Sequence, residues 1–274
     1  IPGGDGGTPR RGTLDMAIVE TDALVLRSHR LGETSLIVTL FTREFGLLRC
    51  VAKGARGPKS RFGAALEPGV SIAAVVYRKL TRDLQLLSKA DIVAFWPSLW
   101  EDPDRFARAG SVLEFLERAA YGEAGEPELS DLATDTGSAM STAPTPALEA
   151  VLRAFEVQAC HRLGYAPELS VCLECRAPLG QGGLFHPQKG GLLCGAPCGN
   201  DGGAFRLSEK ARRTLLALAE HPLESLAGWA MERYPTVEIA RAIERFLTSH
   251  LERFEGLRAQ RVGEALARYA EGAR

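Results

Sequence analysis

The sequence predicts an α+β chain in which a small β-barrel precedes an α-helical domain interrupted by a metal-binding insertion. Three features carry that expectation: five β-rich segments between residues 23 and 95, a change to helical periodicity from Pro103, and two closely spaced cysteine pairs between residues 172 and 198.

Ala23-Leu24-Val25-Leu26 opens the first strand. Ser35-Leu36-Ile37-Val38-Thr39-Leu40-Phe41 is rich in β-branched residues, and Gly46 to Ala52 follows after a short turn. Val70 to Leu80 and Leu84 to Phe95 give two more strands, parted by the turn-like Thr81-Arg82-Asp83. Branched and aromatic side chains suit a pleated, half-buried surface. Five strands in about 75 residues, with little room for helix, fit a small closed barrel. At this size that is most often an OB-fold, with an SH3-like barrel as the alternative. Residues 20–98 are assigned to it.

Beyond Pro103, Phe106, Ala109, Leu113, Leu116 and Ala120 share one helical stripe. The Ser-, Thr-, Pro- and Asp-rich run from Glu126 to Pro146 reads as a loop or linker. Leu148, Val151, Leu152, Phe155, Ala159 and Leu163 form the next stripe, ended by Gly164 and Pro167. Further helices are expected at Ser208 to His221, Leu223 to Tyr234, Thr236 to Phe254 and Gly256 to Ala270, with Ser208 and Thr236 as N-caps. The helical domain is thus assigned to residues 99–170 and 200–274, around an insertion at 171–199.

Within that insertion, Cys172-x2-Cys175 and Cys194-x3-Cys198 are separated by 18 residues. Two such knuckles deliver four thiolates to one tetrahedral zinc ion, whereas a redox pair needs no second knuckle. Four ligands leave no open position, so a single Zn2+ is expected to be structural. Cys50 and Cys160 are expected to be buried small hydrophobes.

The 274 residues carry 33 Lys+Arg against 34 Asp+Glu, and 45% apolar content is ordinary for a folded chain. No apolar run approaches the roughly 18 residues of a membrane helix. Residues 1–19 read as a flexible leader without a targeting signal, with Met16 a candidate natural start. Six cysteines are too sparse for a disulfide scaffold, and with no secretory signal read at the N-terminus a reducing compartment is expected.

The net charge of −1 hides a division: residues 21–90 carry +7 and residues 91–150 carry −9. The basic module is expected to meet a polyanion, the alternative being a solvated face. Its third strand ends in Lys53-Gly54-Ala55-Arg56-Gly57-Pro58-Lys59-Ser60-Arg61-Phe62-Gly63. Lys53, Arg56, Lys59 and Arg61 are placed to contact successive phosphates and Phe62 to stack on a base, with Arg27 and Arg43 adding charge from nearby. A second cluster, Arg206, Lys210, Arg212 and Arg213, either extends that track, binds an acidic peptide tail or is a solvated helix face. Phosphate-loop, dinucleotide, zinc-protease and serine-hydrolase motifs are missing, so no catalytic residue is assigned and the chain is read as a non-enzyme.

The runs Asp22-Ala23-Leu24-Val25-Leu26, Leu31-Gly32-Glu33-Thr34-Ser35, Phe41-Thr42-Arg43-Glu44-Phe45-Gly46 and Ala52-Lys53-Gly54-Ala55-Arg56 together resemble the RecO family of bacterial recombination mediators. So does Phe155-Glu156-Val157 through Leu163-Gly164-Tyr165-Ala166-Pro167-Glu168-Leu169, leading into Cys172 and Cys175. The resemblance spans roughly residues 20–200; the long polar loop after Tyr121 and the leader depart from it. It implies an OB-fold, a helical domain with a zinc site, and a non-catalytic role in recombinational DNA repair. It also implies binding to single- and double-stranded DNA, strand annealing, action with RecR, and loading of RecA onto DNA covered by single-stranded-DNA-binding protein (SSB), whose acidic tail is recognised. A functional link to RecF and a cytoplasmic, nucleoid-associated location follow from the same resemblance. A zinc-stabilised protein–protein adaptor with an incidental basic surface is the alternative, and a nucleic-acid enzyme built from the acidic segment ranks last.

Overall fold

The computed structural model describes residues 16–120, 124–195, 198, 202–251 and 254. Five strands, β1 (Ala17–Leu31), β2 (Ser35–Thr42), β3 (Gly46–Ala52), β4 (Ser71–Arg78) and β5 (Gln85–Ala94), close a barrel in the order β1-β2-β3-β5-β4. All neighbours are antiparallel except β3 and β5, which meet in parallel at Cys50–Gln85 and Val51–Leu86. This is the expected OB-type barrel. It begins earlier than assigned: β1 starts at Ala17 because its first half pairs with β4, Ala17 facing Arg78. Residues 1–15 of the expected leader lie outside the described residues.

Side chains on β1 alternate between two cores, as the two-residue period of a strand requires. Ala23 and Val25 face the barrel interior with Val38, Leu40, Leu48, Ile72 and Leu87. Leu24 and Leu26 face the other way and join Phe41 of β2 in the apolar core of the helical domain. Leu24 and Phe41 are direct cross-strand partners.

The helices are α1 (Ser98–Glu101), α2 (Pro103–Ala119), α3 (Pro127–Thr142), α4 (Leu148–Arg162), α5 (Glu209–Glu220) and α6 (Thr236–His250). The side chain of Asp102 caps α2 by accepting the Arg105 N–H at 2.9 Å, with Pro103 in the first turn. Of the stripe read on α2, Phe106 instead stays 44% exposed, edge-on to Trp100. Helix α4 is buried along nearly its whole length and forms the axis of the domain; Phe155 packs edge-to-face on Phe115.

Three expectations are corrected. The segment from Glu126 to Pro146 is mostly helix α3, with Leu129, Leu132, Ala133, Thr136, Ala139 and Met140 buried. Its small residues mask the periodicity but let partners approach: a Cβ at Gly137 would stand 2.6 Å from the Trp96 ring, at the end of the barrel. Leu223 to Tyr234 forms two short 3-10 turns, Leu223–Gly228 and Met231–Arg233, separated at Trp229-Ala230. Ser208 caps α5 as expected, accepting the Ala211 N–H. Thr236 does not cap α6; its hydroxyl donates back to the Met231 carbonyl at 2.8 Å. The helix expected from Gly256 lies outside the described residues.

Candidate nucleic-acid interface and metal centre

The four cysteines meet. Cys172 and Cys175 sit on a tight turn in which the Arg176 N–H donates to the Cys172 carbonyl at 3.0 Å, with Arg176 at φ 61°. Cys194 follows β7 (Gly191–Leu193), which pairs with β6 (Gly183–His186); β8 (Phe205–Leu207) completes a small sheet just beyond the assigned insertion. The Leu173 N–H donates to the Leu192 carbonyl at 2.9 Å and ties the knuckles together. All four sulfurs lie within 4.8 Å of one another, Cys172 and Cys198 buried, Cys175 and Cys194 exposed.

The Cys175–Cys194 sulfur separation is 3.8 Å. That matches the edge of about 3.8 Å expected for a tetrahedron with ~2.3 Å metal–sulfur bonds, and is far longer than the ~2.05 Å of a disulfide. Burial pushes the Cys172 thiol up, but the N–H groups of Cys175, Cys194 and Glu174 turned toward its sulfur bring it down to about 6. The neighbouring Cys198 is raised, chiefly by its hydrogen bonds to Cys194 and Cys175. Sulfurs this close repel one another when ionised, and a cation bound among them relieves that repulsion. The donor set fits a metal ion. Cys50 and Cys160 stand apart, both buried and both pushed up to about 12 by desolvation, as befits inert core residues.

The basic loop leaves β3 at Lys53 and ends in a 3-10 turn, Gly63–Leu66. Gly54 (φ 70°) and Gly63 (φ 51°) adopt the left-handed conformation at its two ends. Lys53, Arg56, Lys59 and Arg61 are all exposed. Arg56 also shapes the loop: its guanidinium donates to the Glu33 carbonyl at 3.1 Å and its N–H to the Thr34 carbonyl at 2.8 Å, pinning the loop to the β1–β2 turn.

Phe62 departs from its expected role. It is 3% exposed within the barrel core, with Arg61 over its ring at 5.2 Å from the centroid, so it is not presented to a base. An aromatic at the foot of a barrel loop gains more from burial than from solvent. Arg212 is likewise withdrawn: 8% exposed, it donates to the Leu169 carbonyl at 3.1 Å and fastens the approach to the cysteine turn onto α5. Arg213, its neighbour, is open to solvent beside Glu209 at 3.6 Å.

Arg27 and Arg43 are engaged across the junction of the two domains. Arg27 pairs with Glu117 of α2 at 2.9 Å, and Arg43 pairs with Asp131 of α3. That contact with Asp131 holds the Arg43 guanidinium above its ordinary value. The charge division of the sequence is therefore partly internal, acidic helices lying against a basic barrel. Sequence reading placed cations on the barrel but not these partners, because the pairs join residues 88 or more positions apart.

The described residues contain no helix long and apolar enough to cross a membrane. Comparison with known proteins matches both parts of the chain. Residues 16–96 match the family "Recombination protein O N terminal" and residues 100–259 match "Recombination protein O C terminal". A relative from Anaeromyxobacter dehalogenans, named DNA repair protein RecO, is 34% identical over 236 residues, covering 86% of this chain and 92% of its own. Relatives of the same name from Exiguobacterium sibiricum and Symbiobacterium thermophilum are 32% and 33% identical, covering 88% and 87% of this chain and 93% and 94% of theirs. With both its barrel and its helical part matched, the chain belongs to the recombination protein O family.

Proposed function

We propose that the chain is a non-catalytic DNA-binding mediator of recombinational repair. It binds single- and double-stranded DNA, anneals complementary strands and acts with RecR in loading RecA onto SSB-coated DNA. The observation that carries this reading is the exposed, glycine-hinged loop presenting Lys53, Arg56, Lys59 and Arg61 from one end of a closed barrel, in a chain of this family. Two strands repel each other through their phosphates. A surface that offers cations to both lowers that barrier, while backbone contacts leave the base edges free to pair. Arg213 on the helical domain is a further exposed cation for the same purpose. With Phe62 and Arg212 buried, the contact rests on phosphate attraction.

The metal in this reading is zinc, held by Cys172, Cys175, Cys194 and Cys198. It supplies a cross-link, joining the turn before β6 to the end of β7.

The test is ATP-independent annealing of labelled complementary oligonucleotides, bare and SSB-coated, followed by fluorescence transfer at several salt concentrations. Accelerated pairing that fades steeply with salt is expected. No acceleration at low salt, together with salt-independent capture of RecR or SSB, would replace this reading with the protein–protein adaptor.

A further inference from the structure

A cleft of about 380 Å³ opens between the barrel and α2. Its floor is a cross-strand row: Arg27 of β1 pairs in register with Thr39 of β2, which pairs with Arg49 of β3. The flanking Val38, Leu40, Leu48 and Cys50 point into the barrel core, so the row faces outward. His29 and Asp83 border it. Arg49 has no carboxylate partner among the described residues. Arg27 does: Glu117 reaches over from α2 to 2.9 Å, its side chain 28% exposed and that of Arg27 50% exposed.

A carboxylate and a phosphodiester present the same acceptor oxygens to a guanidinium. We propose that Glu117 is a resident competitor for nucleic-acid phosphate: it holds Arg27 when no strand is present, and a strand entering the cleft displaces it. This deepens the DNA-binding reading and rests on it. Arg27 is half exposed and Glu117 partly so, so Glu117 rehydrates when displaced and the exchange is shallow. It therefore tunes how tightly a single strand is held without deciding whether it is held. A protein that pairs strands must also release them, and an internal anion waiting to reclaim Arg27 favours release.

The probe is a labelled oligothymidylate titrated with the full chain by fluorescence anisotropy over a range of KCl. Glu117→Gln is expected to bind it about two- to fivefold more tightly at low salt, the worth of one exposed ion pair. The slope of log K against log salt should steepen by less than the ~0.7 of a full phosphate contact on a single strand: Arg27 meets phosphate in both forms, but only in the unaltered protein does a displaced carboxylate regain a counter-cation. The double variant Arg27→Gln/Glu117→Gln should bind like Arg27→Gln alone. Glu128→Gln, which removes an exposed acid from α3 away from the cleft, should leave the slope unchanged and controls for net charge. If Glu117→Gln matches Glu128→Gln while the unaltered protein binds normally, the competitor role is overturned and the DNA-binding reading stands. If no form binds the oligonucleotide, the DNA-binding reading falls and this proposal with it.

Discussion

Phe62 stands at the foot of the basic loop with its ring 3% exposed inside the barrel core. Burial and base stacking make opposite demands on that ring, and substitution separates them. A buried phenylalanine withdraws about 150 Å² or more from water, which at about 25 cal/mol per Å² is about 4 kcal/mol. Truncation in a core commonly costs about 3–5 kcal/mol once the residual cavity is included. Phe62→Ala should therefore lower the thermal midpoint by about 6–20 °C. Phe62→Leu keeps most of the apolar volume, so its cost should stay near ~1 kcal/mol. Its affinity for single-stranded DNA at moderate salt should be unchanged. Circular dichroism melts and anisotropy titrations of the two variants read both quantities. A Phe62→Leu protein of near-native stability that loses about tenfold in affinity, the worth of one stacked base, would refute the core assignment.

Charge reversal of the loop (Lys53→Glu, Arg56→Glu, Lys59→Glu and Arg61→Glu together) should abolish tight binding while sparing metal content and fold. If all four cations contact a single strand, the salt slope should fall by about 2.8, and anisotropy across a salt series checks it. Cys175→Ser should lose the metal and loosen the turn joined to β7, read as metal content by atomic absorption and as faster proteolysis between residues 172 and 198; a metal-free protein of unaltered protease resistance would contradict a structural role. Glu149 lies between Arg108 at 3.3 Å and Arg153 at 2.8 Å. Burial acts to raise this carboxyl, but the two arginine charges outweigh it and hold it below its ordinary 4.5. Its contribution is therefore complete above about pH 4.5 and is lost as pH falls through the lower folded-state value. Glu149→Gln should cost about 1–3 kcal/mol at neutral pH and flatten the acid limb of a stability–pH curve, measured by urea denaturation.

The barrel was legible because its strands are local, β-branched and separated by turn residues: β2 to β5 fall within a residue or two of those patterns, while β1 runs on both sides of its apolar run, from Ala17 to Leu31. The metal centre was legible for a similar reason: each knuckle is a short-range motif, and only the pairing of two knuckles had to be supplied by the fold. Helix α3 was hidden because Ser, Thr, Gly and Ala fill so much of it; its apolar periodicity rests on a few residues, and its tolerance for small side chains is explained only by the Trp96 ring lying against Gly137. Leu223 to Tyr234 reads as helix in the sequence because Leu223, Leu226 and Met231 recur at near-helical spacing; the structure buries all three from two short 3-10 turns instead. Sequence also ranks cations by number and neighbourhood alone. That Arg212 and Phe62 turn inward, and that Arg27 and Arg43 find acids on distant helices, depends on contacts no local pattern encodes.

The alternation along β1 has a practical consequence for dissecting the molecule. Because Leu24, Leu26 and Phe41 face the helices, that strand is a wall shared by two rooms. A fragment ending near residue 95 would keep its hydrogen-bonded ring yet expose an oily stripe to water. Such a fragment should self-associate or demand detergent, and inserting one residue between Ala23 and Leu26 would turn both rooms inside out at once. Barrel and helices are better cut apart by point substitution than by truncation.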